Sequence, residues 1–100
     1  KKPTPEQVKK VLAHYTGEAQ ELDLPSAPRH PIVVHEEPNR PQPFLDAWLE
    51  GGMVASVGRI RECSVLDIKM VIMGHNTVRG AAGAAILNGE ALVKKGFIRV

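Results

Sequence analysis

The apolar residues of this chain change their spacing at Gly74, and this change limits the folds that the chain can adopt. Before Gly74, apolar residues alternate with other residues in a pattern typical of a strand that is covered on one face. After Gly74, small and apolar residues recur about every 3.6 positions, which is the period of an α-helix. The sequence therefore predicts an α/β fold, α+β-like in arrangement, in which a strand leads directly into a helix. The alternating residues before Gly74 are Leu66, Ile68, Met70 and Ile72.

The strands of this fold are predicted from three stretches of the sequence. Residues 53–62 and 65–73 flank a tight join at Cys63, and a short join of this kind predicts an antiparallel hairpin. Residues 32–37 begin with β-branched side chains and predict a third short strand. The proline-rich residues 38–43 cannot pair in a sheet, because proline has no backbone N–H. We therefore expect a partial antiparallel or mixed sheet with flanking helices.

A helix is predicted close to the start of the chain. Thr4 suits the N-cap, Pro5 suits the first helical position, and Gln7 completes a capping box with Thr4. Gly17 is the predicted stop. Two later segments show no regular pattern. Residues 18–31 are predicted to be irregular because prolines interrupt them, and residues 44–52 suit either a helical turn or a loop.

A second helix is predicted after Gly74. Asn76 or Thr77 would cap it, and it would run to about Lys95, with Gly96 just beyond its end. Its small residues predict either close packing against another backbone or a surface that receives a flat ligand. In the second interpretation Asn76 faces the ligand, because an amide both donates and accepts hydrogen bonds. The predicted packing face contains Val78, Ala81, Ala82, Ala85, Ile86, Gly89 and Val93.

Composition excludes several classes of function. The net charge of +2 comes from scattered basic residues, and the few aromatic residues lie far apart, so the chain lacks the basic face of a nucleic-acid binder. The single cysteine excludes an internal disulfide and indicates a reducing compartment, which predicts a cytoplasmic location. No apolar run is long enough to cross a membrane, and the first residues do not form a signal peptide. A chain of 100 residues with only four aromatic residues has a small core, and we expect it to be stabilised by contacts with other protein.

Reactive side chains give no complete catalytic or metal site. Cys63 follows Arg59 and Arg61, whose charges would favour a thiolate, but no residue is placed as its base. The histidines lack the spacing of a metal site. Arg40 and the pair Arg59 and Arg61 suit either a carboxylate or phosphate ligand or an ion pair that anchors a loop. From these residues we expect no metal site and no catalytic residue.

Three motifs resemble a known enzyme family. They are "RPQP-x-LD", "GGM-x-x-SVGRIREC-x-VLDIK" and "GHNTVRGAAGAAILNGE". They closely resemble the C-terminal part of the aspartate-semialdehyde dehydrogenase family, in the branch found in archaea and fungi. The resemblance covers nearly the whole chain and is most specific over residues 57–98. Phe44 departs from the family pattern, which has a basic residue at that position of the first motif.

The resemblance implies an NADPH-dependent oxidoreductase of amino-acid biosynthesis, which reductively dephosphorylates aspartyl phosphate to aspartate semialdehyde. Residues 1–73 would form the end of its catalytic and dimerisation domain. Residues 74–100 would form the C-terminal helix, which packs on the cofactor domain. Asn76 matches the asparagine that contacts the nicotinamide end of NADP, and Thr77 is its neighbour in that site. The implied partners are the N-terminal part of the same enzyme and further copies in a homo-oligomer.

The resemblance also implies what this chain lacks. The nucleophilic cysteine, the catalytic histidine and the dinucleotide-binding glycines of the family precede the matched region, and Cys63 does not match the nucleophile. We therefore expect the chain to be inactive alone. Because it does not start with Met, we expect it to begin inside a longer polypeptide. Two alternatives stay open: a fragment of a malonyl-CoA reductase-like relative, and a standalone, non-catalytic oligomerisation module.

Overall fold

The fold is built on a three-stranded mixed sheet. A computed structural model describes residues 2–99. Strand β1 (Ile32–Val34) pairs in parallel with β2 (Ala55–Glu62), and β2 pairs antiparallel with β3 (Ile68–Gly74), so β2 is central. Helix α1 (Pro5–His14) packs against β1 and β2. The predicted mixed sheet with flanking helices is confirmed, and so is the antiparallel pairing of the last two strands.

The strands are shorter than the sequence predicts. The strand predicted over 32–37 ends at Val34, although the N–H of His35 still donates to Val57 O at 2.8 Å. The strand predicted over 65–73 starts only at Ile68, because the residues before it form a turn that the Cys63 N–H closes on Asp67 O. The predicted one-sided burial of this strand fails at Ile72, which is 66% exposed. We attribute this to the position of β3 at the sheet edge, beside the two strands that α1 covers.

Helix α1 begins as the sequence predicts. Thr4 Oγ1 accepts the Gln7 N–H at 3.2 Å, and Gln7 Oε1 accepts the Thr4 N–H at 2.9 Å. These reciprocal bonds satisfy two N–H groups that a helix start leaves unpaired. The helix ends at His14 and not at the predicted Gly17, because Tyr15 already has an extended backbone.

The segments without a regular pattern contain short helices. Helix α2 (Glu18–Glu21) lies where irregular structure was predicted, and that prediction is wrong for these four residues. The Gly17 N–H donates to Gln20 Oε1 at 2.8 Å and stabilises the start of α2. Between β1 and β2, helix α3 (Pro43–Asp46) is followed by a 3-10 turn (Leu49–Gly52). Of the two alternatives for residues 44–52, short helical turns are therefore correct.

The C-terminal helix begins irregularly. A π-helical turn (Val78–Ala82) follows β3 and continues into helix α4 (Gly83–Lys94). The helix ends close to the predicted Lys95, where the Gly96 N–H donates to Val93 O at 3.0 Å with φ of +85° at Gly96. Within residues 2–99, no helix has both the length and the apolar content that a bilayer crossing requires.

The buried face of α4 differs from the predicted one. Leu87 packs with Leu24 and Met53 in a small core, and Gly83 is also buried. A π-turn contains one more residue than a regular turn, so it rotates the following residues away from the face that an unbroken helical period predicts. Four residues of the predicted packing face are consequently exposed: Ala81, Ala82, Ala85 and Ile86.

Candidate functional site

The candidate site lies where β3 ends and the C-terminal helix begins. We call residues His75, Asn76 and Thr77 the polar corner. Asn76 and Thr77 are both exposed. Thr77 stands at the position before the π-turn, but its backbone is already helical and its side chain makes no capping hydrogen bond. Thr77 thus occupies the N-cap position that the sequence predicts for Asn76 or Thr77, but its side chain does not cap the helix.

His75 provides the side-chain cap instead. Its Nδ1 accepts the Val78 N–H at 3.1 Å and lies 3.1 Å from Thr77 Oγ1. A side-chain acceptor for one of the first helical N–H groups stabilises a helix start in the same way as an ordinary N-cap. Because His75 does this, the Asn76 amide is left out of the cap. Sequence reasoning missed His75, since histidine is not among the residues that commonly cap helices.

The loop before β2 supports the His75 ring. The ring lies edge-on to Trp48, with ring centroids 4.1 Å apart and an interplanar angle of 66°. Gly52 has φ of +84°, and a Cβ placed there would lie 3.4 Å from His75 Cγ and 3.2 Å from Val78 Cβ. Glycine is therefore needed at position 52 for its backbone conformation and favoured for its small size. The "GG" pair before β2 is the only sequence signal for this contact that we identify.

The small residues after the polar corner have two roles. A Cβ on Gly83 would collide with Met53 Sδ and would lie 2.7 Å from Val78 O, so close packing explains this glycine. Ala81, Ala82 and Ala85 are exposed and form a surface of small side chains next to the corner. The close-packing interpretation thus accounts for Gly83 and leaves the exposed alanines available to another surface.

A buried ion pair fixes the loop that leads to Trp48. Asp46 is 2% exposed and accepts hydrogen bonds from Arg40 Nε and from the Gln42 N–H, each at 2.8 Å, while Arg40 Nη2 bonds to its other oxygen. His35 Nε2 lies 3.9 Å from Asp46 Oδ1. The Arg40 hydrogen bond holds the pKa of Asp46 well below its usual range, and the Gln42 N–H adds to this, although burial opposes it.

Arg40 is therefore an anchor for this loop. Its carbonyl and the Pro41 ring lie over β2 at Gly58, where a Cβ would approach Pro41 Cδ to 2.7 Å. Because Gly58 has no side chain, the loop can pack directly against the central strand. The loop-anchoring alternative for Arg40 is thus the one that its contacts favour.

The reactive residues near the β2–β3 turn form no catalytic set. Arg59 has φ of +55° at an irregularity of β2, and the Arg61 guanidinium donates to the Arg59 carbonyl. The pKa of the Cys63 thiol is lowered mainly by the N–H groups of Leu66 and Val65, and the arginine charges that the sequence suggested are not among the causes. Within residues 2–99, no group of three His, Cys, Asp or Glu side chains could hold a metal ion.

Comparison with known proteins assigns the family. The family model of the semialdehyde dehydrogenase dimerisation domain matches residues 1–79. The aspartate-semialdehyde dehydrogenase of Schizosaccharomyces pombe is 55% identical over 98 residues, which are 96% of this chain and 28% of that protein. The enzyme of that name from Archaeoglobus fulgidus is 53% identical over 77 residues, or 77% of this chain and 22% of that protein.

A solved structure has the same fold. The crystal structure of aspartate semialdehyde dehydrogenase with NADP from Candida albicans superposes with a TM-score of 0.86 and 49% identity, covering 96% of this chain and 27% of that chain. The chain thus spans about a quarter of the length of these relatives. These fungal and archaeal matches confirm the resemblance seen in the sequence. The chain belongs to the semialdehyde dehydrogenase family and matches the model of its dimerisation domain over most of its length.

Proposed function

We propose that this chain is the C-terminal part of an NADP-dependent aspartate-semialdehyde dehydrogenase. The observation that carries the proposal is the close likeness, in both sequence and fold, to the Candida albicans enzyme, whose structure contains NADP. In this proposal residues 1–73 complete the catalytic and dimerisation domain. Residues 74–100 form the helical segment that packs against the cofactor domain. The exposed alanines of the C-terminal segment suit this role, because small side chains let another backbone approach closely.

The reaction we propose for the whole enzyme consumes aspartyl phosphate, NADPH and a proton, and yields aspartate semialdehyde, phosphate and NADP. The cofactor supplies the hydride when it is bound. The proposed role of this chain's residues is to bind the cofactor and to orient its nicotinamide. Asn76 fits the carboxamide of a nicotinamide, since its exposed amide offers both a donor and an acceptor. Thr77 adds a hydroxyl beside it. Cys63 takes no part, because it belongs to the β2–β3 turn.

We further propose that the enzyme is a homo-oligomer in the cytoplasm. The match to a dimerisation domain supports self-association. Ile72 and Val71 on the edge strand β3 are exposed large hydrophobic residues, which suits an edge that other protein covers. The single cysteine suits a reducing compartment.

The test uses the full-length polypeptide that contains this chain. Purified enzyme is expected to reduce aspartyl phosphate with NADPH, while residues 1–100 alone give no turnover. Asn76→Ala is expected to raise the KM for NADPH about three- to tenfold, the loss of one or two hydrogen bonds, with little change in the KM for aspartyl phosphate. Asn88→Ala, which removes an exposed amide from α4, is the matched control and keeps both constants.

Other outcomes would contradict the proposal in different ways. A preference for malonyl-CoA as substrate would assign the enzyme to a different reaction of related chemistry. Turnover by residues 1–100 alone would contradict the proposal that the catalytic groups lie in the N-terminal part of the enzyme. An equal effect of Asn76→Ala and Asn88→Ala on the KM for NADPH would remove Asn76 from the cofactor site.

A further inference from the structure

We infer that His75 is a positioning residue, which holds Asn76 in place for the nicotinamide end of the cofactor and is itself held by Trp48. The inference rests on the cofactor site proposed above, and it adds a residue that does not have to touch the cofactor. The polar corner is a short connection between a strand and a helix, so without such support its backbone would be free to move. The hydrogen bonds and the packing of His75 carry the inference.

Two hydrogen bonds of His75 enclose Asn76 and Thr77. The side chain reaches forward to the Val78 N–H at 3.1 Å. The carbonyl of the same residue accepts the Gly80 N–H at 3.0 Å. Because one residue is tied to the helix through both its ring and its backbone, the two residues that follow it are confined to a closed loop.

The same geometry assigns one ring nitrogen to the cap. The Val78 N–H is a donor, so Nδ1 is the acceptor of this hydrogen bond. Thr77 Oγ1, at 3.1 Å from Nδ1, lies next to the same acceptor. The cap therefore depends on one acceptor atom at a defined position, and a side chain with its acceptor elsewhere cannot replace it.

Packing fixes the plane of the ring. Trp48 meets the ring edge-on at a centroid distance of 4.1 Å, and a Cβ at position 52, which Gly52 lacks, would lie 3.4 Å from the ring's Cγ. Trp48 is nevertheless 65% exposed, so it is not held in the core for its own burial. An aromatic pair of this geometry contributes beyond the area it buries. Trp48 thus connects the loop anchored by Asp46 to the polar corner.

The use of histidine as the cap has a consequence for Asn76. The side-chain oxygen of an asparagine at a helix start ordinarily accepts a hydrogen bond from a backbone N–H of the first helical turn. Here His75 supplies that acceptor, and the Asn76 amide stays at the surface. Because His75 caps the helix, both the donor and the acceptor of the Asn76 amide stay available to a ligand amide.

The experiment replaces His75 in the full-length enzyme with two amides of different length. In His75→Asn the side-chain oxygen falls near the position of Nδ1, whereas in His75→Gln it falls near Nε2. Affinity for NADP is measured by titration, and the stability of the corner by hydrogen exchange over residues 74–82. We expect His75→Gln to weaken NADP binding up to about tenfold and to speed exchange, with His75→Asn close to wild type in both. His14→Gln, on helix α1, is the matched control.

The outcomes separate this inference from the proposed function. If the wild-type enzyme does not bind NADP, the proposed function fails, and so does the role of His75 in cofactor binding, whatever the exchange data show. If wild type binds NADP and both variants bind it as tightly as wild type does, the positioning role is overturned. It is also overturned if His75→Asn loses as much affinity as His75→Gln. Circular dichroism checks that the variants fold. If His75→Gln does not fold, the affinity of His75→Asn for NADP still tests the inference, because a loss of affinity in that variant overturns it.

Discussion

At the residue scale, Asp46 combines almost complete burial with a full negative charge. A buried carboxylate is stable only when hydrogen bonds replace its hydration, and Arg40 and the Gln42 N–H do this here. The pair closes the loop that lies over Gly58 and leads to Trp48. The charge on a single residue therefore contributes to the position of the polar corner, through the loop and not by direct contact.

Acid is expected to remove the contribution of Asp46 to stability. The folded-state pKa of Asp46 is lower than its unfolded value, so its contribution is present above the unfolded pKa of about 3.9 and is lost as pH falls toward the folded value. Asp46→Asn should lower the free energy of unfolding by at least about 2 kcal/mol at neutral pH. The difference from wild type should shrink progressively below about pH 4. Urea unfolding across pH measures this.

The exposed Asp67→Asn variant is the control for Asp46 and should unfold like wild type. A difference between Asp46→Asn and wild type that stays constant from neutral to acid pH would contradict the assignment. It would mean that the carboxylate contributes through its shape and not through its charge.

At the element scale, helix α4 shows how one irregular turn redirects a whole face. The sequence correctly predicts a helix that ends near Lys95, because end signals such as Gly96 act within a few residues. It does not predict the π-turn, and it does not predict that Gly83 packs closely against Met53 from a distant part of the chain. The face predicted from an unbroken period is consequently the wrong one.

Two glycines of α4 are expected to respond in opposite ways to the same change. Gly83→Ala should lower the free energy of unfolding by about 1–3 kcal/mol, because the new methyl group meets Met53 and the Val78 carbonyl. Gly89→Ala should raise it by up to about 1 kcal/mol, since its Cβ meets no atom within 4 Å and alanine favours the helix. Urea unfolding of both variants checks this. Equal effects would show that helix propensity, and not packing, dominates at Gly83.

At the scale of the whole molecule, the chain is extended and its surface is apolar in several places. Its radius of gyration is 15.5 Å, against about 13 Å for a compact domain of this length. Large hydrophobic residues are exposed on the sheet edge, on the C-terminal segment and on the connection between β1 and β2, which includes α3. Among them are Ile72, Ile86 and Phe44. Surfaces of this kind are typical of interfaces with other protein.

Residues 1–100 expressed alone are therefore expected to associate. Sedimentation equilibrium should show a mass that rises with concentration, because the exposed apolar surface is removed from water when copies meet. Ile72→Lys places a charge on the exposed sheet edge and should weaken the association. Glu6→Lys changes the charge by two units at an exposed position of α1, against one unit for Ile72→Lys; it is the control and should leave the association unchanged. A monomer at all concentrations would contradict the expectation.

The sequence alone determined those features that a common local signal marks. The Thr4 and Gln7 capping box and the Gly96 helix end are of this kind, the short join at Cys63 predicted the antiparallel strand pair, and the motifs of the last strands and helix indicated the family. The tertiary structure decided the rest: the cap by His75, the buried face of α4 and the anchoring of Arg40 by Asp46. The buried face of α4 depends on Met53, and the ring of His75 packs against Trp48, both from other parts of the chain. Arg40 and Asp46 are close in sequence, but only the fold buries the Asp46 carboxylate. Local propensity carries no information about such contacts, because only the folded chain creates them.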